Sequence, residues 1–252
     1  MKKAISVQLS ILFTLMIFFM GVNPLFAHYM WVETNPIGEI GKEQEVKVFF
    51  GEYTYGLREE VGGENFERVK KFKAWIVAPD GSKEGLTFVP SEKFYVSTFI
   101  PKTEGTYSVL LDNNEIDVID YTQYDFGIFK THYHSLAKVF VGKTPGKTVS
   151  ENPLGISIVD VSERNLEKGS DLKLKILYKG EQLADTEVSV FVADQWSKQL
   201  TTDENGEISL TLPWDTKFIV EVTKKEEVPG SYNGEEYEFI WHCATYCIDL
   251  SN

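Results

Sequence analysis

The stretch DLKLKILYKGEQLADTEVSVFV, residues 171–192, decides the fold. Leu172, Leu174 and Ile176 alternate with Lys173 and Lys175, and Val188, Val190 and Val192 repeat the pattern beyond an interruption containing Gly180. A two-residue period sends successive side chains to opposite faces of a strand, so each run buries one apolar face. Similar runs recur outward from it: EVKVFF (45–50), KFKAWIV (71–77), KFYVSTFI (93–100), TYSVLL (106–111), LAKVFV (136–141) and KFIVEV (217–222). Turn residues separate them, including Pro79-Asp80-Gly81 and Asp112-Asn113-Asn114, and short strands at such spacing predict β-sandwiches. One mixed region, residues 57–71, reads as a short helix or a charged loop.

Alternation stops over GKTPGKTVSENPLG (142–155), where Gly142, Pro145, Gly146 and Pro153 act as breakers. The expected organisation is therefore an all-β chain of two β-sandwich domains, an Ig-like one over 28–150 and a transthyretin-like one over 151–252. Within the second, Asp203-Glu204-Asn205-Gly206 joins two alternating runs and reads as a hairpin turn. Its pattern resembles small transthyretin-like or carboxypeptidase-regulatory-like sandwiches, with Gly180, Leu183, Val188, Thr202 and Gly206 in the matching places.

Residues 1–27 carry Lys2-Lys3, an apolar stretch near Ile11–Met20 and a small residue, Ala27. That order predicts a cleaved secretory signal peptide, a mature chain beginning at His28 with no membrane span, and a periplasmic or secreted location. The full chain holds 25 basic against 38 acidic residues, a formal net charge of −13, and losing Lys2 and Lys3 makes it more acidic still. Such a surface repels phosphate backbones, which excludes nucleic acid as a partner. No G-x-S-x-G, H-E-x-x-H or phosphate-cradling glycine loop occurs, so hydrolase and nucleotide-binding readings lack support.

The two cysteines, Cys243 and Cys247, lie four residues apart. On a straight strand that is roughly 13 Å, beyond bridging distance. A disulfide there needs a turn or bulge; otherwise both thiols stay free.

Four histidines remain: His28, His132, His134 and His242. An N-terminal histidine can grip a metal ion with its α-amine and ring Nδ1 together, in competition with protons near neutrality. A further imidazole would complete a planar nitrogen set suited to Cu(II) or Ni(II). His132 and His134 have strand spacing, which points both rings to one face. His242 stands in the last expected strand and alternates with Cys243.

With these residues in view, a resemblance emerges. The opening AHYMWVE (27–33), the central HYHSLAKVFVG (132–142) and the closing HCATYCIDL (242–250) look like the NikM-like domain of unknown function, periplasmic proteins labelled as components of cobalt or nickel uptake. The resemblance implies a divalent transition metal (nickel, cobalt or copper) as ligand, His28, His134, His242 and His132 as candidate ligands, and a membrane metal transporter as partner. The thiols of WHCATYC depart from that pattern. The expected function is metal binding for uptake or delivery, without turnover. Two alternatives belong to other classes: a copper-dependent oxidative enzyme with a histidine-brace-like site, and a carbohydrate-binding or adhesion sandwich.

Overall fold

The computed structural model describes residues 28–143, 152–162 and 166–251; the expected signal peptide and most of the expected domain boundary lie outside them. The longer strands of the first half are β1 (Tyr29–Thr34), β2 (Gln44–Glu52), β3 (Lys73–Val77), β4 (Tyr95–Phe99), β5 (Gly105–Asn113) and β6 (Ile128–Val141). Those of the second are β7 (Ile156–Asp160), β8 (Asp171–Tyr178), β9 (Glu187–Val192), β10 (Trp196–Thr201), β11 (Glu207–Thr211), β12 (Lys217–Glu226) and β13 (Phe239–Asp249). The mixed region near residue 64 forms a single helical turn, Glu64–Glu67. The chain is nearly all β, as its alternation predicts, and its sheets pair as sandwiches.

Hydrogen bonding orders the strands into a large central sheet, β10-β9-β12-β13-β6-β5-β3, with Lys83–Gly85 at its edge. A smaller sheet containing β1-β2-β4 covers one face, and another, with β8 between β7 and β11, covers the other. The two-residue period is visible directly on the central strands. Tyr133, Ala137, Val139, Cys243 and Cys247 enter the first core, while Leu136, Ala244, Tyr246 and Ile248 enter the second. In β8 the alternation read from the sequence buries Leu172, Leu174 and Ile176 completely, each such side chain contributing about 1.5–3 kcal/mol.

One finding reshapes the expected division at residue 150. The strand β13 pairs in parallel with β6 from Phe129↔Phe239 to Ala137↔Cys247 and antiparallel with β12 on its other side. Each core draws on both sides of residue 150, Ile219, Cys243 and Cys247 entering the first and Val77, Leu110 and Leu136 the second, and a single sheet serves both. A parallel pair needs a crossover connection, and here most of the second half lies between the two strands.

Two local expectations meet definite outcomes. Asp203–Gly206 does form a tight turn, closed by Gly206 N–H donating to Asp203 O at 3.0 Å with Gly206 at φ +74°. It does not make a hairpin, because β10 pairs with β9 in the central sheet whereas β11 pairs with β8 in the outer one. Thr202 peels the chain away, its hydroxyl donating to Leu183 O at 2.7 Å and its N–H to Thr186 O at 2.9 Å. Cys243 and Cys247 lie on an uninterrupted strand, buried and free, as straight-strand geometry requires.

The first strand is anchored unusually. Besides its ladder with β2, β1 lies across the central sheet and is held there by side chains. Val32 N–H donates to Ser135 Oγ at 3.0 Å, Thr245 Oγ1 donates to Met30 O at 2.9 Å, and Tyr133 OH donates to His28 O at 2.8 Å. Side-chain hydroxyls thus replace the strand neighbour that β1 lacks on that edge.

Candidate functional site

The parallel register places His132 directly beside His242, with ring centroids 5.3 Å apart and planes tilted by 55°. His134 follows two residues on, so it shares their face. All three are buried, at 5%, 5% and 2% exposure. Two carboxylates back them. Asp112, next to the last residue of β5, meets His132 Nε2 at 2.6 Å and His134 Nδ1 at 3.6 Å. Glu226 closes β12; it meets His242 Nε2 at 2.9 Å and forms an ion pair with Lys179 through its other oxygen. Tyr178, at the end of β8, brings its hydroxyl to 3.5 Å from His242 Nε2.

Electrostatics fixes the proton positions. The imidazole hydrogen bonds hold Asp112 well below the usual carboxylate range despite its burial. Lys179 and His242 likewise bring Glu226 down to about 2 against its own desolvation. Both acids are therefore ionised at neutral pH and can only accept. His132 and His242 must donate from Nε2. Burial pushes the pKa of His134 and His242 below the ordinary imidazole value, so both are neutral at pH 7. A neutral ring that donates from Nε2 carries its lone pair on Nδ1.

That lone pair has nowhere to go within the protein. His242 Nδ1, His134 Nε2 and Asn152 Nδ2 are buried without a hydrogen-bond partner, and His134 Nδ1 has only Asp112 Oδ1 at 3.6 Å. Orphaned buried groups cost about 1–3 kcal/mol each and point to something the protein does not itself supply.

His28 stands elsewhere. Its backbone is held by Tyr133, which alternates with His132 and His134 and faces the first core. The central sheet consequently lies between His28 and the other three imidazoles. Its ring Nε2 meets Glu59 Oε1 at 2.7 Å and the ring packs against Phe50. The four candidate ligands thus form a cluster of three and a separate residue rather than one set. On that same face two carboxyls sit in low-dielectric surroundings: burial raises Glu52 to about 7 and Glu221 to about 8, with Cys243 Sγ 4.0 Å from Glu221 Oε1.

As placed, no three His, Cys, Asp or Glu side chains among the described residues stand close enough to share one metal ion. Two imidazoles with carboxylate-held Nε2 atoms are nonetheless the arrangement found behind metal-ligating histidines, where the second nitrogen orients the ring and raises its basicity. The orphaned Nδ1 of His242 fits such a role. Sequence reasoning found the three imidazoles but not Asp112, Glu226 or Asn152. Asp112 carried only a turn signal and Asn152 only a breaker context, and their partnership needs strands far apart in the chain.

The fold and this cluster define an all-β protein with an imidazole–carboxylate group buried between its central sheet and an outer one. Residues 25–226 match the family described as a domain of unknown function, DUF4198, and the protein belongs to that family. No curated protein matches the chain. Among solved structures, Escherichia coli α2-macroglobulin activated by porcine elastase is 10% identical, with 89% of this chain and 20% of that one covered and a TM-score of 0.28. The CARDB domain of a Pyrococcus furiosus protein in complex with di-metal ions is 14% identical, with 46% and 88% covered and a TM-score of 0.25. A Ca2+-stabilised adhesin with which an Antarctic bacterium binds ice is 11% identical, with 89% and 49% covered and a TM-score of 0.25. This chain therefore spans about a fifth of the α2-macroglobulin and about half of the adhesin. No helix among the described residues is long and apolar enough to cross a membrane.

Proposed function

We propose that this protein is an exported carrier of a divalent transition metal (nickel, cobalt or copper), in keeping with the NikM-like resemblance, and that a membrane transporter receives its cargo. The observation that carries this reading is the burial of His132, His134 and His242 on one sheet face with ring nitrogens left unpaired. At 5% exposure or less these groups are closed to an organic substrate, whereas an ion needs only a narrow path. Asp112 and Glu226 bring two carboxylates to the imidazoles, Glu226 pairing also with Lys179. Imidazole suits borderline metals such as nickel and copper. An ion here would draw donors together rather than enter a finished cage, which suits cargo that must leave again.

Titrating purified protein with Ni(II) and Cu(II) by calorimetry tests the reading. One ion is expected per chain, with affinity reduced about 10- to 100-fold or more in the double variant His132→Ala/His242→Ala. No binding by the unaltered protein, or equal affinity in the double variant, overturns it.

A second reading keeps the N-terminal chelate at His28. Glu59 meets Nε2 at 2.7 Å, and the chelate would join Nδ1 to an amine freed by processing. Binding abolished by His28→Ala and untouched by the double variant would select this reading instead.

A further inference from the structure

At the end of the central sheet where β6 and β13 begin, the chain forms a cleft of about 710 Å3, within the range of roughly 300–1,000 Å3 usual for small-molecule sites. One wall is the segment 116–121 that follows β5, of which Ile119–Asp120 pairs antiparallel with Ile128 and Phe129 of β6. The other is the tip of a hairpin whose arms are Gly230–Tyr232 and Glu235–Tyr237, with Asn233 and Glu235 lining the cleft. Arg68 and Gln123 complete it. None of the four histidines is among its lining residues.

Both walls are fixed by the protein's own bonds. Tyr121 N–H donates to Gly127 O at 2.9 Å, and Tyr121 O accepts from Tyr124 N–H at 3.0 Å and Phe126 N–H at 3.2 Å. The Tyr121 ring meets Phe129 edge to face, centroids 5.6 Å apart. Across the cleft, Asn233 at φ +51° and Gly234 at φ +87° adopt the left-handed pair that a two-residue hairpin turn requires. Lys130 Nζ lies 4.4 Å from the centre of the Tyr232 ring and holds that hairpin to β6. Asn233 Nδ2 donates to Asp117 Oδ1 at 3.0 Å, which ties one wall to the other. A ligand would therefore bind without ordering the loops around it, and that preorganisation favours affinity.

A sugar ring presents hydroxyls that both donate and accept, set around faces of C–H. The lining matches both. Asp117 Oδ2, Asn233 Oδ1 and the Gln123 side-chain amide have no hydrogen-bond partner among the described residues, and together they offer acceptors and a donor group. Ile116, Val118, Ile119 and the ring of Tyr121 supply apolar surface. Charge narrows the class further. Asp117, Asp120 and Glu235 face a single cation, Arg68, whose guanidinium also serves Glu64 at 3.0 Å, so a uronate or a phosphorylated sugar meets repulsion. Among the described residues no three acids stand close enough to share a metal ion, which leaves these as separate acceptors for hydroxyl protons. We propose that the cleft binds a short neutral oligosaccharide, with Asp117, Gln123 and Asn233 hydrogen-bonding its hydroxyls and Tyr121 and the aliphatic floor covering its C–H faces. This is a second binding site, independent of the metal-carrier reading.

Calorimetry and saturation-transfer NMR on the purified protein test this, with cellotriose, maltotriose and triacetylchitotriose as neutral probes and trigalacturonate as the charged one. At least one neutral trisaccharide should bind, with saturation strongest on its ring C–H protons, and EDTA should leave that binding unchanged. Trigalacturonate should bind more weakly or not at all. Gln123 is exposed, and Gln123→Ala leaves the Asp117–Asn233 tie intact, so it should lose about 2- to 10-fold in affinity with an unchanged near-ultraviolet spectrum. The double variant Gln123→Ala/Asn233→Gly keeps the left-handed turn, which glycine adopts freely, and should lose at least about 10-fold. Failure of all three neutral probes to bind the unaltered protein overturns the inference. So does equal affinity in the double variant, which would put the sugar elsewhere, or trigalacturonate binding at least as tightly as the neutral probes. The metal-carrier reading stands or falls separately on its own titration.

Discussion

Single residues carry opposite electrostatic burdens on the two faces of the central sheet. Glu221 is held up at about 8 by burial and by neighbouring Glu52 and Glu187. An acid whose folded pKa exceeds its unfolded value keeps a proton that the unfolded chain releases, so stability falls as pH rises from about 4.5 to about 8. Glu221→Gln should therefore change little near pH 4 and stabilise the protein by on the order of 3 kcal/mol above pH 8. Urea midpoints at pH 4.5, 6.5 and 8.5 measure this, and a gain that does not grow with pH contradicts it. Glu226 has the reverse sign: lowered to about 2 by Lys179 and His242, it supports the fold above the ordinary carboxylate range, and that support fades as pH falls toward 2.

Among elements, β1 and β13 show how far pattern alone reaches. Alternation identified nearly every long strand, because burial on one face writes a period of two into the chain. The same signal says nothing about which sheet a strand joins. The Asp203–Gly206 turn looked like a hairpin from its composition, yet the sequence around it holds no mark of β10 and β11 parting company. The cluster was half legible for a related reason: His132 and His134 share a face by spacing, whereas His242 reaches them only through a parallel pairing more than a hundred residues long in the chain. His28 immediately precedes β1, and no local feature reveals that β1 lies on the far side of the sheet. The side-chain anchoring of β1 gives a prediction at this scale. Thr245→Val keeps the shape but leaves Met30 O and Ser135 Oγ short of a partner, so stability should drop by about 1–3 kcal/mol. Chemical denaturation showing no loss would mean that water replaces the hydroxyl.

For the molecule as a whole, the shared sheet sets the unit of stability. Two sandwiches joined by a linker would melt separately, but β6 and β13 give both cores the same backbone ladder. Calorimetry should show one transition with matching calorimetric and van't Hoff enthalpies, and two resolved transitions would refute that coupling. Deleting residues 239–252 should cost the first core its folded signal as well as the second. Among the described residues β13 comes after every other strand in chain order and yet occupies an inner lane of the sheet. Until it arrives, β6 presents a long raw edge to any passing chain, and pairings of such wide separation form slowly. A polypeptide built this way stays pliable until β13 has been made, with that exposed margin open to its siblings in the meantime.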